Sequence, residues 1–358
     1  MAVVVVLAAL ALVWFGGAAL GVAPRLRGLA MLALWGAVLA LVGLAPASGL
    51  GRWLGGSVQG WLVGGGVLAL ALAYRWLVRL ARARAVPQPV ADAAPLAAPA
   101  PAAFDPEAPL SDAELDRYAR HIMLRELGGP GQRALRRARV LVVGAGGLGS
   151  PVSLYLAAAG VGRLTLADDD TVSLSNLQRQ ILFATGQEGQ PKAQAGADRL
   201  RALNPQIQVT PLPRRITAQD ADFLRGFDLV IDGTDSFAGR QAINAACVAA
   251  GVPLLAGAIA QWEGQITVYD PARGAPCLSC LFPQAPAPGS TPSCAEAGVI
   301  GALPGVIGAM MALEAVKLLT GAGQDLRGRM MIYDGLYADA RVMRLSRRAD
   351  CAVCGTAT

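Results

Sequence analysis

The chain has 358 residues, of which 54% are hydrophobic, a share too high for one soluble domain alone. Its formal net charge of +6 sits wholly at the front. Residues 1–104 hold seven arginines (Arg25, Arg27, Arg52, Arg75, Arg79, Arg82 and Arg84) against one acid, Asp92, and the rest balances 24 basic with 24 acidic residues. The basicity therefore marks arginines flanking apolar segments and excludes a broad nucleic-acid-binding surface.

Three charge-free apolar runs come first: Ala2 to Ala23, Gly28 to Ala47 and Leu54 to Tyr74. A spanning helix needs roughly 20 apolar residues, so the sequence predicts three transmembrane helices within residues 1–84. Arg75, Arg79, Arg82 and Arg84 follow the third run and place its end in the cytoplasm, with the Arg25/Arg27 loop inside and the N-terminus outside. A cleaved signal peptide fits less well, because a basic n-region is missing and two more runs follow. Trp14, Trp35, Trp53, Trp61 and Trp76 are expected as lipid-facing or interfacial anchors. No ionisable residue lies inside a run, which disfavours a transport pathway.

Residues 85–110 are rich in Ala and Pro and read as an extended spacer. At about 3.1 Å per residue it reaches on the order of 70 Å. From residue 111 to 358 the pattern changes to alternating helix and strand. Ser111 to Glu114 (SDAE) is a capping-box pattern opening a helix through about Leu127, which Gly128-Gly129-Pro130-Gly131 stops. Arg139 to Val143 (RVLVV) suits a buried parallel strand. GAGGLG follows at 144–149, then an Ala-rich helix. The next strand is Arg163 to Ala167, closed by Asp168. Further helices are predicted near Lys192 to Leu203, after Thr217 and after Arg240. Strands are predicted near Ile207 to Thr210, Asp228 to Asp232, Pro253 to Ala256 and Gly264 to Tyr269. A long apolar helix (Ile300 to Leu319) and two last strands near Arg329 to Tyr333 and Ala340 to Leu345 complete the domain. This is an α/β doubly wound sheet with an antiparallel extension.

Gly144, Gly146 and Gly149 fit G-x-G-x-x-G between strand and helix, where backbone can approach a phosphate at a helix N-terminus. Asp168 stands where a ribose-binding acid is expected. Alone this constellation indicates a nucleotide of any kind. The next loop, DDDTVSLSNLQRQ (168–180), and GQPK (189–192) add the cations Arg179 and Lys192, which suit a triphosphate better than a dinucleotide. DGTD (232–235) ends a predicted strand, the edge where open sheets bind ligands, and a carboxylate there can hold Mg²⁺ against phosphate oxygens.

Together, RYARHI (117–122), GAGGLG, DDDTVSLSNLQRQ, GQPK, DGTD, EGQITVY and CAEAGVIG (294–301) resemble the MoeB/ThiF/HesA family of adenylating enzymes, with MoeB-like members nearest. The resemblance spans Leu115 to Cys354, and NLQRQ and GQPK are its most specific strings. It implies a Rossmann-like fold and ATP-dependent adenylation of the C-terminal glycine carboxylate of a ubiquitin-fold sulfur carrier ending in Gly-Gly, of the MoaD or ThiS kind. It implies that Gly144, Gly146 and Gly149 line the phosphates and Asp168 binds the ribose. Ser175 belongs to the same nucleotide-binding set, and Asn176, Arg179 and Lys192 hold the triphosphate. Asp235 is implied as the magnesium-binding acid, and Arg120 as an arginine reaching the neighbouring subunit's phosphates in a homodimer. Where the family usually has Asn, this chain has Ser236, which weakens one polar contact to nucleotide or partner.

Six cysteines remain to be placed. Cys277/Cys280 and Cys351/Cys354 are two C-x-x-C knuckles, the arrangement of a tetrahedral Cys₄ zinc site. Paired disulfides or a redox site are the alternatives, and a cytoplasmic location disfavours disulfides. The family resembles this chain in the position and type of these knuckles. Cys247 lies in an apolar helix and reads as core filling. Cys294 precedes the long helix, whose N-terminus could lower its pKa, and is a candidate catalytic residue: the resemblance implies a covalent bond from the matching cysteine to the carrier in ThiF-like members, whereas adenylation in MoeB-like members does not depend on it. His121, the one histidine, has no matched acid or nucleophile and reads as structural. Two other classes compete with the adenylating reading. A membrane-tethered NAD-dependent oxidoreductase leaves NLQRQ, GQPK and DGTD unexplained. A catalytically silent scaffold for a ubiquitin-fold protein leaves the intact Arg179, Lys192 and Asp235 unexplained.

Overall fold

The structure, a computed structural model, describes residues 2–54, 58–84, 104–284 and 298–355. The chain divides into two compact units, Met1–Leu96 and Ala97–Thr358.

The first unit contains helices α1 (Ala2–Ala19), α2 (Pro24–Leu44), α3 (Gly49–Leu54) and α4 (Val58–Arg84). Pro24 opens α2 at a position where its missing N–H costs nothing. Val6, Leu10, Val38, Val42, Leu54 and Trp61 form a small apolar core. Trp61 is buried and meets half-buried Trp35 edge to face at 5.4 Å, so these two tryptophans pack against each other within the unit. Trp14, Trp53 and Trp76 are exposed. The expectation of three spanning helices needs correction. Among the described residues only Arg25–Leu44 in this unit is long and apolar enough to cross a bilayer. The described apolar stretch of α1 is the shorter Ala8–Ala19.

The second unit is built on one eight-stranded sheet: β1 (Arg139–Val143), β2 (Arg163–Ala167), β3 (Gln208–Leu212), β4 (Leu229–Asp232), β5 (Leu254–Ala260), β6 (Glu263–Tyr269), β7 (Arg329–Asp334) and β8 (Asp339–Arg344). Their order is β3-β2-β1-β4-β5-β6-β7-β8. Strands β1 to β5 pair in parallel, and β6, β7 and β8 add on antiparallel. The doubly wound sheet with its antiparallel extension is thus present. Strand β1 shows why both faces are covered: Val140 and Val142 enter one core while Leu141 and Val143 enter the other. Helices α7 (Gly149–Ala159), α8 (Lys192–Leu203) and α12 (Ala302–Thr320) bury their apolar side chains on the first face. Helices α9 (Ala221–Leu224) and α10 (Phe237–Ala250) and the single turn α11 (Leu278–Leu281) cover the second. Among the described residues helix α12 is the other one long and apolar enough to cross a bilayer, but here Leu303, Ile307 and Met311 are core residues.

Two local expectations change. The first helix, α5 (Asp112–Ile122), ends before Leu127, and 128–131 opens a second helix, α6 (Gly128–Arg137). Pro130 sits in its first turn, where a helix tolerates proline. The Ser111 capping box is formed as read. Its Glu114 also pairs with Arg136 of α6, with both side chains almost buried, so one acid caps one helix and ties down the next. The helix expected after Thr217 is only a 3-10 turn, Ala218–Asp220, followed by the single turn α9.

Candidate active site

The order of the sheet reverses between β1 and β4, so the loops after these strands leave in opposite directions and open a crevice at the C-terminal edge. Both glycine-bearing motifs converge there, since Val143 pairs with Asp232 and each is the last residue of its strand. Gly144 has φ 89°, and a Cβ on it would stand 3.1 Å from the Gly233 carbonyl carbon. A Cβ on Gly149 would lie 1.8 Å from the Gly144 oxygen, so this glycine is required by packing. Gly146 differs. The nearest atom to a Cβ there is Gln180 Nε2 at 3.6 Å, an ordinary contact. Its bareness leaves room for a ligand to approach the backbone.

Asp168 closes β2 and turns back over this loop. Its Oδ2 accepts from the Ala145 amide at 2.7 Å and its Oδ1 from the Asp170 amide at 2.8 Å. Burial pushes its carboxyl above the ordinary value, and those two amides work against that shift. The carboxylate therefore holds the glycine loop in shape and retains spare lone pairs for a hydroxyl. Downstream, 168–180 forms a short 3-10 turn, Leu174–Asn176, in which Ser175 is exposed and hydrogen-bonds Ser173 at 3.0 Å between their hydroxyls. Asn176 Oδ1 accepts from Arg179 Nη2 at 3.0 Å, which orients the guanidinium. A Cβ on Gly147 would be 3.6 Å from Arg179 Cγ, so the arginine stem lies against the glycine loop. Lys192 starts α8 with its side chain only 4% exposed, and its Nζ meets Asp170 Oδ2 at 2.9 Å. Loop, Asp168, Asn176, Arg179 and Lys192 are thus gathered at one sheet edge.

The DGTD turn is built by its first acid. Asp232 is fully buried, and its Oδ1 accepts from the Thr234 amide at 2.8 Å and hydroxyl at 2.7 Å. This leaves Asp235 exposed just before α10. Ser236 is the N-cap of α10 and accepts from the Gly239 amide at 3.2 Å, a capping task serine performs well. The expected weaker polar contact is accompanied by this local role. Arg120 is exposed in the last turn of α5, near Met123 and Leu124, which are exposed too. His121 Nδ1 lies 3.2 Å from Gln132 Oε1, whose amide donates to the Ala159 carbonyl, in keeping with a structural histidine. Cys247 is buried in α10, as expected of core filling. Cys294 lies outside the described residues.

Sequence reading missed three participants. Asp232 was present in the motif, yet only its burial shows that it shapes the turn. Asp170 emerges as the partner of Lys192. Gln180 is buried beside Gly146, with its Nε2 toward the bare stretch of the glycine loop and its Oε1 unpartnered.

The four knuckle cysteines come together as a separate cluster. All four sulfurs lie within 4.8 Å of one another. Cys277 and Cys280 are 3.9 Å apart, Cys277 and Cys351 3.6 Å, and Cys280 and Cys354 3.4 Å. A tetrahedral site with metal–sulfur bonds of about 2.3 Å separates its sulfurs by about 3.8 Å, whereas a disulfide needs about 2.05 Å. The geometry fits a metal and not disulfides. Helix α10 grips this cluster. Asn244 Oδ1 accepts from the Leu278 amide at 2.9 Å, Asn244 Nδ2 donates to Ser279 Oγ, and Ser279 donates to Gln241 Oε1 at 2.6 Å. The helix that begins beside Asp235 is thereby fastened to the first knuckle.

A doubly wound sheet with a phosphate-type glycine loop, a strand-end acid and two cations at its switch point defines a nucleotide-binding α/β protein. Residues 118–353 match the model of the ThiF family, and the chain belongs to that family. It is 49% identical over 247 residues to the sulfur carrier protein adenylyltransferase of Thermus thermophilus, covering 68% of this chain and 91% of that protein. It is 48% identical to the Escherichia coli molybdopterin-synthase adenylyltransferase, covering 69% of this chain and 99% of the relative. Among solved structures, E. coli MccB with AMPCPP and MccA superposes with a TM-score of 0.60 at 22% identity, over 68% of this chain and 75% of that one, and shares the fold.

Proposed function

We infer that this chain is an ATP-dependent adenylyltransferase that activates the C-terminal glycine carboxylate of a ubiquitin-fold sulfur carrier ending in Gly-Gly and releases pyrophosphate. The observation that carries the reading is the convergence of the glycine loop, Asp168, Arg179 and Lys192 on one crevice, in a chain whose relatives are named sulfur carrier protein adenylyltransferase and molybdopterin-synthase adenylyltransferase. That convergence leaves the oxidoreductase and scaffold readings without support. Exchange of labelled pyrophosphate into ATP, dependent on a carrier with a free C-terminus, is the direct test.

A glycine carboxylate is ionised near neutral pH, so the attack needs no general base. The work is alignment with the α-phosphorus and neutralisation of the departing pyrophosphate. Gly144, Gly146 and Gly149 open the loop to the phosphates, and Asp168 takes a ribose hydroxyl. Ser175 and Asn176 line the phosphate side, with Asn176 steering Arg179. Arg179 and Lys192 carry the charge. Asp235, exposed beside Ser236, is the acid that would hold Mg²⁺, since an exposed carboxylate suits a hard ion that keeps several waters. The cysteine cluster would hold Zn²⁺ as a structural tie. Cys294 is assigned no part in adenylation.

The active unit is a homodimer in which Arg120 serves the partner's site. Mixing Arg120→Ala with Asp235→Asn subunits should restore about one quarter of wild-type exchange, because half the random dimers hold one complete site. Exchange no higher than in either variant alone would remove the shared-site reading. Residues 1–84 are a membrane segment, 85–110 a spacer and 111–358 the enzyme, held on the cytoplasmic side. The support is the arginine bias and the apolar α2. Alkaline phosphatase fused after Arg84 should be inactive. An active fusion would reverse the topology.

A further inference from the structure

The N-terminal unit has a groove of about 500 Å³ lined by Leu10, Trp14, Phe15, Met31, Leu32 and Trp35, within the roughly 300–1,000 Å³ range of ligand pockets. Gly65 lets Trp35 seat against α4, since a Cβ there would stand 2.8 Å from Trp35 Nε1. Gly28 also lines the groove, and nothing lies within 4 Å of where its Cβ would be. The walls are almost wholly apolar, so the part of an occupant inside must be apolar too.

Beside the groove, next to its lining residues Trp14 and Gly28, stands Arg27: its stem lies against Gly17, and its guanidinium sits 5.1 Å over the Trp14 ring. Its Nη1 donates to the Trp14 carbonyl at 3.2 Å, while its Nε is buried without a partner. No acid of the described N-terminal helices can answer this charge, because the only acid in residues 1–104 is Asp92. An unanswered guanidinium beside an apolar groove is matched by a phosphate joined to an acyl chain. Free phosphate would leave the groove unfilled, and a zwitterionic lipid brings a second cation beside Arg27.

We propose that this groove binds an anionic glycerophospholipid, one acyl chain between α1, α2 and α4 and its phosphate on Arg27. The proposal rests on the membrane reading of this unit given above. The test uses the full chain purified in detergent, with dioleoyl-phosphatidylglycerol and dioleoyl-phosphatidylcholine added in equal amounts, and native mass spectrometry to count bound lipid. Wild type should retain the glycerol lipid roughly five-fold over the choline lipid, about what one arginine near a lipid phosphate provides. Arg27→Gln should abolish that preference. Gly28→Leu fills the groove without a clash and replaces a helix glycine by a better helix former, so it should lower retention of both lipids. Equal retention by wild type, or a preference surviving in Arg27→Gln, would overturn the proposal. So would a dimer seated on this face that Gly28→Leu disrupts, because the occupant would then be a second copy. Alkaline carbonate extraction separates the two levels. A chain that stays with the membrane while showing no lipid preference sinks only the lipid site, whereas a chain released to the supernatant sinks the membrane reading with it.

Discussion

ATP–pyrophosphate exchange by the full chain should fall on the order of 10²-fold or more in Arg179→Ala, because the substitution removes a charge aimed at the reacting phosphates. Asn176 orients that guanidinium from 3.0 Å, so the charge is held in place before the reaction begins. Asp235→Asn should be at least as damaging, since an amide does not neutralise a divalent ion. The Asp235 side chain is exposed and Asp232 shapes its turn, so this variant should keep the wild-type melting temperature. Cys294→Ala should leave exchange intact, because forming an acyl-adenylate uses no thiol. Exchange that persists in Asp235→Asn, or vanishes in Cys294→Ala, would show that the roles are wrongly assigned. No exchange with any Gly-Gly carrier would return the scaffold reading.

The second large effect is on stability. Purified protein should carry about one zinc per chain, and Cys280→Ala should lose it. Cys277 and Cys351 are 74 residues apart in sequence. A cross-link closing a loop of that order is worth about 4.5 kcal/mol in the chain-entropy picture, so the melting temperature should drop on the order of 10 °C. Burial raises the Cys277 thiol above its ordinary value, and a bound cation offsets that cost by stabilising the thiolates. Cys247→Ala is the control. It removes an equally buried sulfur from the core and should leave zinc content unchanged. Zinc that survives Cys280→Ala would dismiss the cluster as its site.

Much of this architecture could be read directly from the chain. RVLVV and RLTLA announce buried parallel strands because every residue is apolar or β-branched except the leading arginine. The glycine spacing and the acid at the end of β2 place a nucleotide before any coordinates. What stayed hidden depends on long sequence separations or on context. The opening of α6 looks like a stop because glycine and proline dominate it, and only Arg136 reaching Glu114, 22 residues back, shows the helix in use. Asp232 and Asp235 are alike as letters, and burial alone gives one the turn and the other the solvent. The grip of Asn244 on Leu278 spans 34 residues and has no local signature. In the N-terminal unit the apolar runs were plain, but Trp35 and Trp61 pair across helices, which composition cannot reveal.

The three glycines of the nucleotide loop answer to two unrelated demands. Gly149 leaves no room for a carbon because the Gly144 oxygen already occupies the space, so a side chain there attacks the fold itself. Gly146 touches nothing closely, so under the function proposed above a methyl group there should meet only the nucleotide phosphate. Damage at the first reaches a cell as scarcity, since a protein below its stability threshold is cleared. Damage at the second should, under the same reading, leave a normal supply of a protein that cannot work. Two inherited lesions three residues apart would therefore look alike in a growth defect and opposite in an abundance measurement.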